Sequence, residues 1–328
     1  HIPATVVICV SMIEWAIARL NVTWGSMPII TRYFDQEIIS TIKKDFKFLI
    51  DAVNRSNGEL VFQIRGPKQF VVYYKGNSLA KIKMRDLDSY DISLHKKFIS
   101  SKSGEEDLFI ALQNFADPER SASSKETGDK DDYHVFTVKN NDLHKFLQSK
   151  HVKHLQSRIK AVNYKEELIV EQAILSDNMD SASHIIIDTE ICDHSSNKRA
   201  DFLALEASPE NGPDSFKFLV IELKLGNNKE LNPLESKNVL NQIRGYVDRL
   251  NTKEVFDEYK ICYERSIAQR KAIGLNYFKT LPADFKILPG ARGLIVVTHY
   301  MGIARPSLDK LKKLISSDIE LKLITYKL

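Results

Sequence analysis

Cysteine is scarce: Cys9, Cys192 and Cys262 are the three in the chain, far apart and in no C-x-x-C pair. That spacing argues against a disulfide framework or a structural zinc site and fits a reducing, cytoplasmic setting. There is no G-x-G-x-x-G turn after a strand and no phosphate-binding P-loop, so nothing supports a nucleotide-cofactor enzyme. Long hydrophobic runs are also missing. Residues 2–20 are the most apolar stretch, but Glu14 interrupts them, no basic segment precedes them, and the run is short for a membrane span. No membrane partner is expected. Nor does one sign of charge dominate: 47 Lys and Arg against 43 Asp and Glu leave +4, which permits a nucleic-acid partner without arguing for one. No internal repeat is visible.

What remains is the composition of an ordinary globular protein, 328 residues long and 43% hydrophobic, enough for one large domain or two modest ones. Gly25-Ser26-Met27 reads as an expression junction followed by a start, so residues 1–26 are set aside as an expression-derived or leader segment. The alternative is a helix packed on the body.

Apolar residues recur at helical spacing from Phe34 to Val53 (Phe34, Ile38, Ile42, Phe46, Leu49, Ile50, Val53). Strand-like runs follow at 60–64, 70–74 and 79–84, with a hairpin turn expected at Gly76-Asn77. Residues 27–133 are therefore expected to form a smaller α+β domain concerned with targeting or regulation. It would end in the polar run 117–133, a surface loop and the natural domain boundary. Residues 134–162 read as a basic linker. Over 139–165, Lys139, Lys145, Lys150, Lys153, Arg158, Lys160 and Lys165 face a single acid, Asp142. Such a stripe could contact phosphates or be a solvated helical linker. His144, His151 and His154 lie among them without a carboxylate to complete a metal set.

From residue 163 to 328 helices and strands alternate. The continuously apolar runs 218–221 and 294–297 suggest strands of a central sheet covered on both faces, an α/β fold. The chemistry gathers here. Lys198-Arg199-Ala200-Asp201-Phe202-Leu203-Ala204-Leu205 and Phe218-Leu219-Val220-Ile221-Glu222-Leu223-Lys224 are two strands joined by a polar loop. A hairpin would bring Asp201 beside Glu222. Alternation places Glu222 and Lys224 on one face and turns Leu223 to the other. Two carboxylates and an ammonium on an apolar sheet need pairing or a cation. Hard oxygen ligands that leave room for waters and phosphate oxygens suit Mg²⁺. Downstream, Gln242 and Tyr246 lie one turn apart on a helix expected over 235–250; upstream, Glu167 and Glu171 do the same on a helix expected over 164–175.

In these motifs the chain resembles the PD-(D/E)xK nuclease superfamily, restriction-endonuclease-like proteins, in the branch with a Gln-x-x-x-Tyr helix. RecB-type, NucS-type and Shedu-type nucleases belong to that branch. The resemblance rests on RADFLAL, FLVIELKLG and NQIRGYVDRL in the family's order, with ARGLIVVTHY and IELKLITYKL resembling the end of the fold. Ala200 stands where the family name has proline. The resemblance implies a mixed β-sheet flanked by helices and metal-dependent hydrolysis of phosphodiesters, most naturally in DNA, in genome defence or repair. It implies Mg²⁺ or Mn²⁺ held by Asp201, Glu222, the Leu223 backbone carbonyl and Glu171, with Glu167 as the alternative to Glu171. Lys224 becomes the catalytic lysine, and Gln242 and Tyr246 hold the lysine or substrate phosphates. Homo-oligomerisation stays open. Two rival readings stand beside this one: a catalytically silent nucleic-acid-binding protein of the same fold, and a structural protein in which the three charged groups form a buried salt-bridge network.

Overall fold

The computed structural model describes residues 28–99, 108–118, 132–162, 166–181, 183–192 and 199–324. The reading of residues 1–26 falls outside them, as do Lys165 and most of the polar run. Two five-stranded sheets organise the chain.

The expected first helix forms as two, α1 (Ile39–Asp45) and α2 (Lys47–Arg55), because Phe46 between them leaves helical geometry at φ −110°, ψ 17°. All seven residues of the apolar stripe are nonetheless buried. They cover one face of an antiparallel sheet of β1 (Leu60–Gly66), β2 (Gln69–Tyr74), β3 (Asn77–Met84), β4 (Ser89–His95) and β5 (Tyr133–Lys139), in that order. The Phe46 ring meets Phe70 at 4.9 Å and Tyr90 at 4.8 Å, edge to face. The β2–β3 turn lies one residue earlier than expected. Tyr74 pairs with Asn77, and Lys75 and Gly76 both adopt positive φ, the tight turn that matches strand twist.

The polar run is not the end of this domain. β5, beyond it, pairs with β4 along its whole length, so the run is an excursion between two strands of one sheet. The basic stretch is likewise not a linker. Most of it is α6 (Ser149–Val162), which packs on β3 and on the short helix α3 (Lys96–Ile99) through His151, Leu155 and Ile159. Their i, i+4, i+8 spacing makes a buried stripe, whereas Lys150, Lys153 and Lys160 are exposed. Between these elements lie α4 (Leu108–Gln113) and α5 (Leu143–Phe146). His151 is a core residue, its Nδ1 2.9 Å from the Phe146 carbonyl.

The second sheet has the order β10-β9-β8-β7-β6: β6 (His184–Cys192), β7 (Arg199–Ala207), β8 (Ser215–Leu225), β9 (Lys286–Thr298) and β10 (Ile319–Leu323). β6, β7 and β8 run antiparallel; β8, β9 and β10 run parallel. The apolar runs 218–221 and 294–297 lie in β8 and β9, and the sheet is mixed and helix-flanked, as the resemblance implies. The crossover from β8 to β9 carries α8 (Val239–Leu250) and α9 (Lys253–Ala272); α7 (Glu166–Asn178) precedes β6, and α10 (Arg305–Leu314) joins β9 to β10. The expected helix over 235–250 starts only at Val239, because the side chain of buried Asn238 caps it by accepting the Asn241 N–H at 2.9 Å. α8 lies close on β9: a Cβ on Gly293 would stand 2.9 Å from the Ile243 side chain, so glycine sets the depth of contact. No helix among the described residues is long and apolar enough to cross a membrane.

The two halves are fastened by buried polar groups. Residues 29–34 run beside α9, Phe34 bonding the Gln269 side chain with both its N–H and its carbonyl. Asp188 on β6 receives Arg32 at 2.8 Å, Arg65 of β1 at 3.1 Å and the Tyr263 hydroxyl at 2.7 Å.

Candidate active site

The β7–β8 ladder holds the key geometry. Its last backbone pair is Phe202 with Ile221, and one step further Asp201 stands opposite Glu222. Residues opposed across a ladder share a face, so the two carboxylates converge. The backbone ladder stops there because a side chain takes its place: the Leu223 N–H donates to Asp201 Oδ2 at 2.8 Å. N–H and C=O of one strand residue point to the same edge, so the Leu223 carbonyl faces this opening too. Leu223 packs its own side chain into the core on the opposite face, fully buried.

Glu222 is 1% exposed, and its carboxyl lies within hydrogen-bonding reach of that of Asp201. Lys224 Nζ sits 3.1 Å from Glu222 Oε2 and 3.4 Å from Glu230 Oε2. Burial and then the neighbouring Asp201 push Glu222 up to about 8, more than Lys224 pulls it down. Asp201 is raised by burial despite Lys224 and the Leu223 N–H. Burial alone would lower Lys224, but Glu222 and Asp201 outweigh it and hold the ammonium firmly charged. Glu222 Oε1 is buried with no donor in reach. Two close buried acids share one ammonium, and burial favours a proton on the pair when nothing else neutralises it.

All six side chains singled out from the sequence border one cleft of about 670 Å³. Glu171 looks onto it from α7, pushed up to about 8 by burial, then by Asp201 and Glu167. Glu167, one turn earlier, also borders it. Gln242 lines the wall from α8. Tyr246 also borders the cleft, and its hydroxyl donates to the Ile191 carbonyl at 3.2 Å, a tie between α8 and β6. Among the described residues no three His, Cys, Asp or Glu converge tightly enough to cage a cation alone; Asp201 and Glu222 form a pair, with Glu171 across the cleft.

Two acids were missed. Glu230 follows β8 in a short turn capped by Asn228, whose side chain accepts the Glu230 N–H at 2.9 Å. The Asn-x-Glu spacing was the available signal. Glu190, in β6 opposite Asp201, has a φ of 50° and pairs with Arg199. Nothing in its sequence neighbourhood marks it.

No protein-family model and no curated protein matches the chain. Among solved structures, it is similar to the crystal structure of a repair endonuclease from Pyrococcus abyssi, at 12% identity over 87% of this chain and 96% of that one, with a TM-score of 0.23.

Proposed function

We propose that this chain is a metal-dependent nuclease of the PD-(D/E)xK type, in its Gln-x-x-x-Tyr branch, and that it hydrolyses phosphodiester bonds in DNA. The observation that carries the reading is the under-neutralised pair Asp201–Glu222, buried on an apolar sheet, with Glu222 Oε1 lacking a donor. Buried carboxylates held this close call for a proton or a cation. The donor set fits a small divalent cation: one or two carboxylates, a carbonyl on the same opening and space for waters.

Asp201, Glu222 and the Leu223 carbonyl would hold the cation, with Glu171 as the further acid. Bound there, Mg²⁺ or Mn²⁺ supplies a polarised phosphate and a bound water of lowered pKa. Lys224 acts as a fixed positive charge, not as a base, because its two acid partners keep it protonated. It offsets negative charge that grows on the phosphate oxygens in the transition state. Gln242, whose side chain takes no part in a hydrogen bond among the described residues, can donate its amide to a phosphate oxygen or to the attacking water. The N-terminal half then selects the target, and the exposed lysines of α6 follow the phosphate backbone.

The test is incubation with labelled single-stranded, double-stranded and branched DNA, and with RNA, in Mg²⁺ or Mn²⁺. Cleavage of a DNA substrate that is lost in Asp201→Ala and Lys224→Ala is expected. Equal behaviour of wild type and both variants on every substrate would overturn the reading.

A further inference from the structure

α7 carries three kinds of contact on three stripes. Glu167 and Glu171 border the cleft. Ile174 and Leu175 pack toward the second sheet and its neighbours. The third stripe, Leu168, Gln172 and Ser176, follows the i, i+4, i+8 spacing that keeps residues on one helix face. It meets one end of the N-terminal sheet, where the turn before β1 and the β2–β3 turn lie side by side.

Gln172 bridges those two turns. Its amide nitrogen donates to the Gly58 carbonyl at 2.6 Å, and its amide oxygen accepts the Gly76 N–H at 3.2 Å. Both glycines have positive φ, 86° and 69°, and both sit where a side chain would collide with the helix. A Cβ on Gly58 would stand 2.6 Å from Ser176 Cβ, and one on Gly76 would stand 3.0 Å from Leu168 Cδ2. The two turns are thus shaped to receive this helix, and Gln172 is the polar link in the contact. It is adjacent in sequence to Glu171.

We propose that Gln172 is a positioning residue: by clasping α7 to the two turns of the N-terminal sheet it sets the reach of Glu171 into the cleft, and so the affinity of the cleft for a divalent cation. This inference rests on the nuclease reading above. Whatever the N-terminal sheet engages is then felt at the cation site through one helix, because a shift of the Lys75-Gly76 turn moves the Glu171 carboxyl with it.

The experiment is a calorimetric Mn²⁺ titration of the full chain as wild type, Gln172→Ala and Gln172→Glu. Unfolding midpoints without cation serve as the control for folding. Gln172→Ala removes both hydrogen bonds and is expected to weaken Mn²⁺ about tenfold, which corresponds to ~1.4 kcal/mol. Gln172→Glu keeps the acceptor for Gly76 but loses the donor to Gly58, and is expected to fall between; it also serves if the alanine variant does not fold. Cleavage by both variants should need more Mn²⁺ yet reach the wild-type rate when the cation saturates, with cation-free DNA affinity unchanged. Wild-type Mn²⁺ affinity in both variants overturns the inference and leaves the nuclease reading intact. No Mn²⁺ binding by the wild-type chain overturns the nuclease reading itself.

Discussion

Two fully buried acids of the second sheet, Asp188 on β6 and Glu222 on β8, live in opposite surroundings. Asp188 has every oxygen used: Arg32 and Tyr263 on Oδ2, Arg65 and the Thr189 N–H on Oδ1. Burial would raise it, but Arg65, Arg32 and Arg270 outweigh burial and hold it below the usual carboxylate range. Glu222 shares one ammonium with Glu230, stands against Asp201, and has an oxygen with no donor. Asp188 itself is satisfied within the protein and joins its halves, although Arg270 beside it keeps Nε and Nη2 without a partner among the described residues. The second cluster leaves Glu222 Oε1 without a partner. The contrast separates an acid satisfied within the fold from one that is not, without reference to sequence motifs.

The largest expected effect breaks the second cluster and spares the first. Asp201→Asn should lower the cleavage rate by about a thousandfold, comparable to removing a transition-state contact, while leaving thermal stability unchanged or higher. Loss of stability with little loss of rate would make Asp201 a structural acid like Asp188. The converse substitution, Asp188→Asn, should cost about 3–5 kcal/mol in denaturant unfolding, because it strands buried guanidinium groups. Activity per folded molecule should survive it.

The two acids also differ in the sign of their pH linkage. Glu222 rises from 4.5 to about 8, so the cation-free native state keeps a proton that the unfolded chain releases. Its contribution is full below the ordinary value and is lost as pH rises through about 8. Asp188 is depressed, so its contribution is full above 3.8 and is lost as pH falls below that. In chelator, unfolding free energy should therefore decline from about pH 5 to about pH 9 more steeply for wild type than for Glu222→Gln. Parallel curves would show that the carboxyl is not held protonated.

The smallest effect sharpens the comparison within the site. Glu230 touches Lys224 but not the carboxylate pair. Glu230→Gln should lower kcat by about tenfold through a less well-held ammonium, with Mn²⁺ affinity unchanged. A change in Mn²⁺ affinity instead would place Glu230 among the cation's ligands.

The second sheet was legible in sequence because its strands carry continuous apolar runs between polar breaks, and because alternation alone puts Glu222 and Lys224 on one face. The α8 stripe was legible for the same reason, since one face of that helix meets one sheet. α7 was not: its sequence defines no single buried side because it answers to a sheet, a cleft and a second domain at once. The Asp188 network escaped notice because Arg32, Arg65, Asp188 and Arg270 are brought together by tertiary structure alone. β5 was hidden by the polar run before it, which reads as a boundary although the strand beyond completes the earlier sheet. The spacing of Gln242 and Tyr246 put both toward the cleft, but it carried no sign of the Tyr246 bond to the Ile191 carbonyl.

Residues 29–34 deserve a different light: order in time. Ile29, Arg32 and Phe34 bond to Glu258, Cys262 and Gln269, partners 229, 230 and 235 positions away. On a ribosome adding 5–20 residues per second, this segment waits roughly ten to fifty seconds before α9 emerges. In that interval the N–H groups of Ile29, Arg32 and Phe34 are without their native side-chain acceptors. Closing so long a loop comes late, after both sheets have their local hairpins. The segment then acts as a fastener that closes over an assembled body, and refolding should show it as the last element to gain protection from hydrogen exchange.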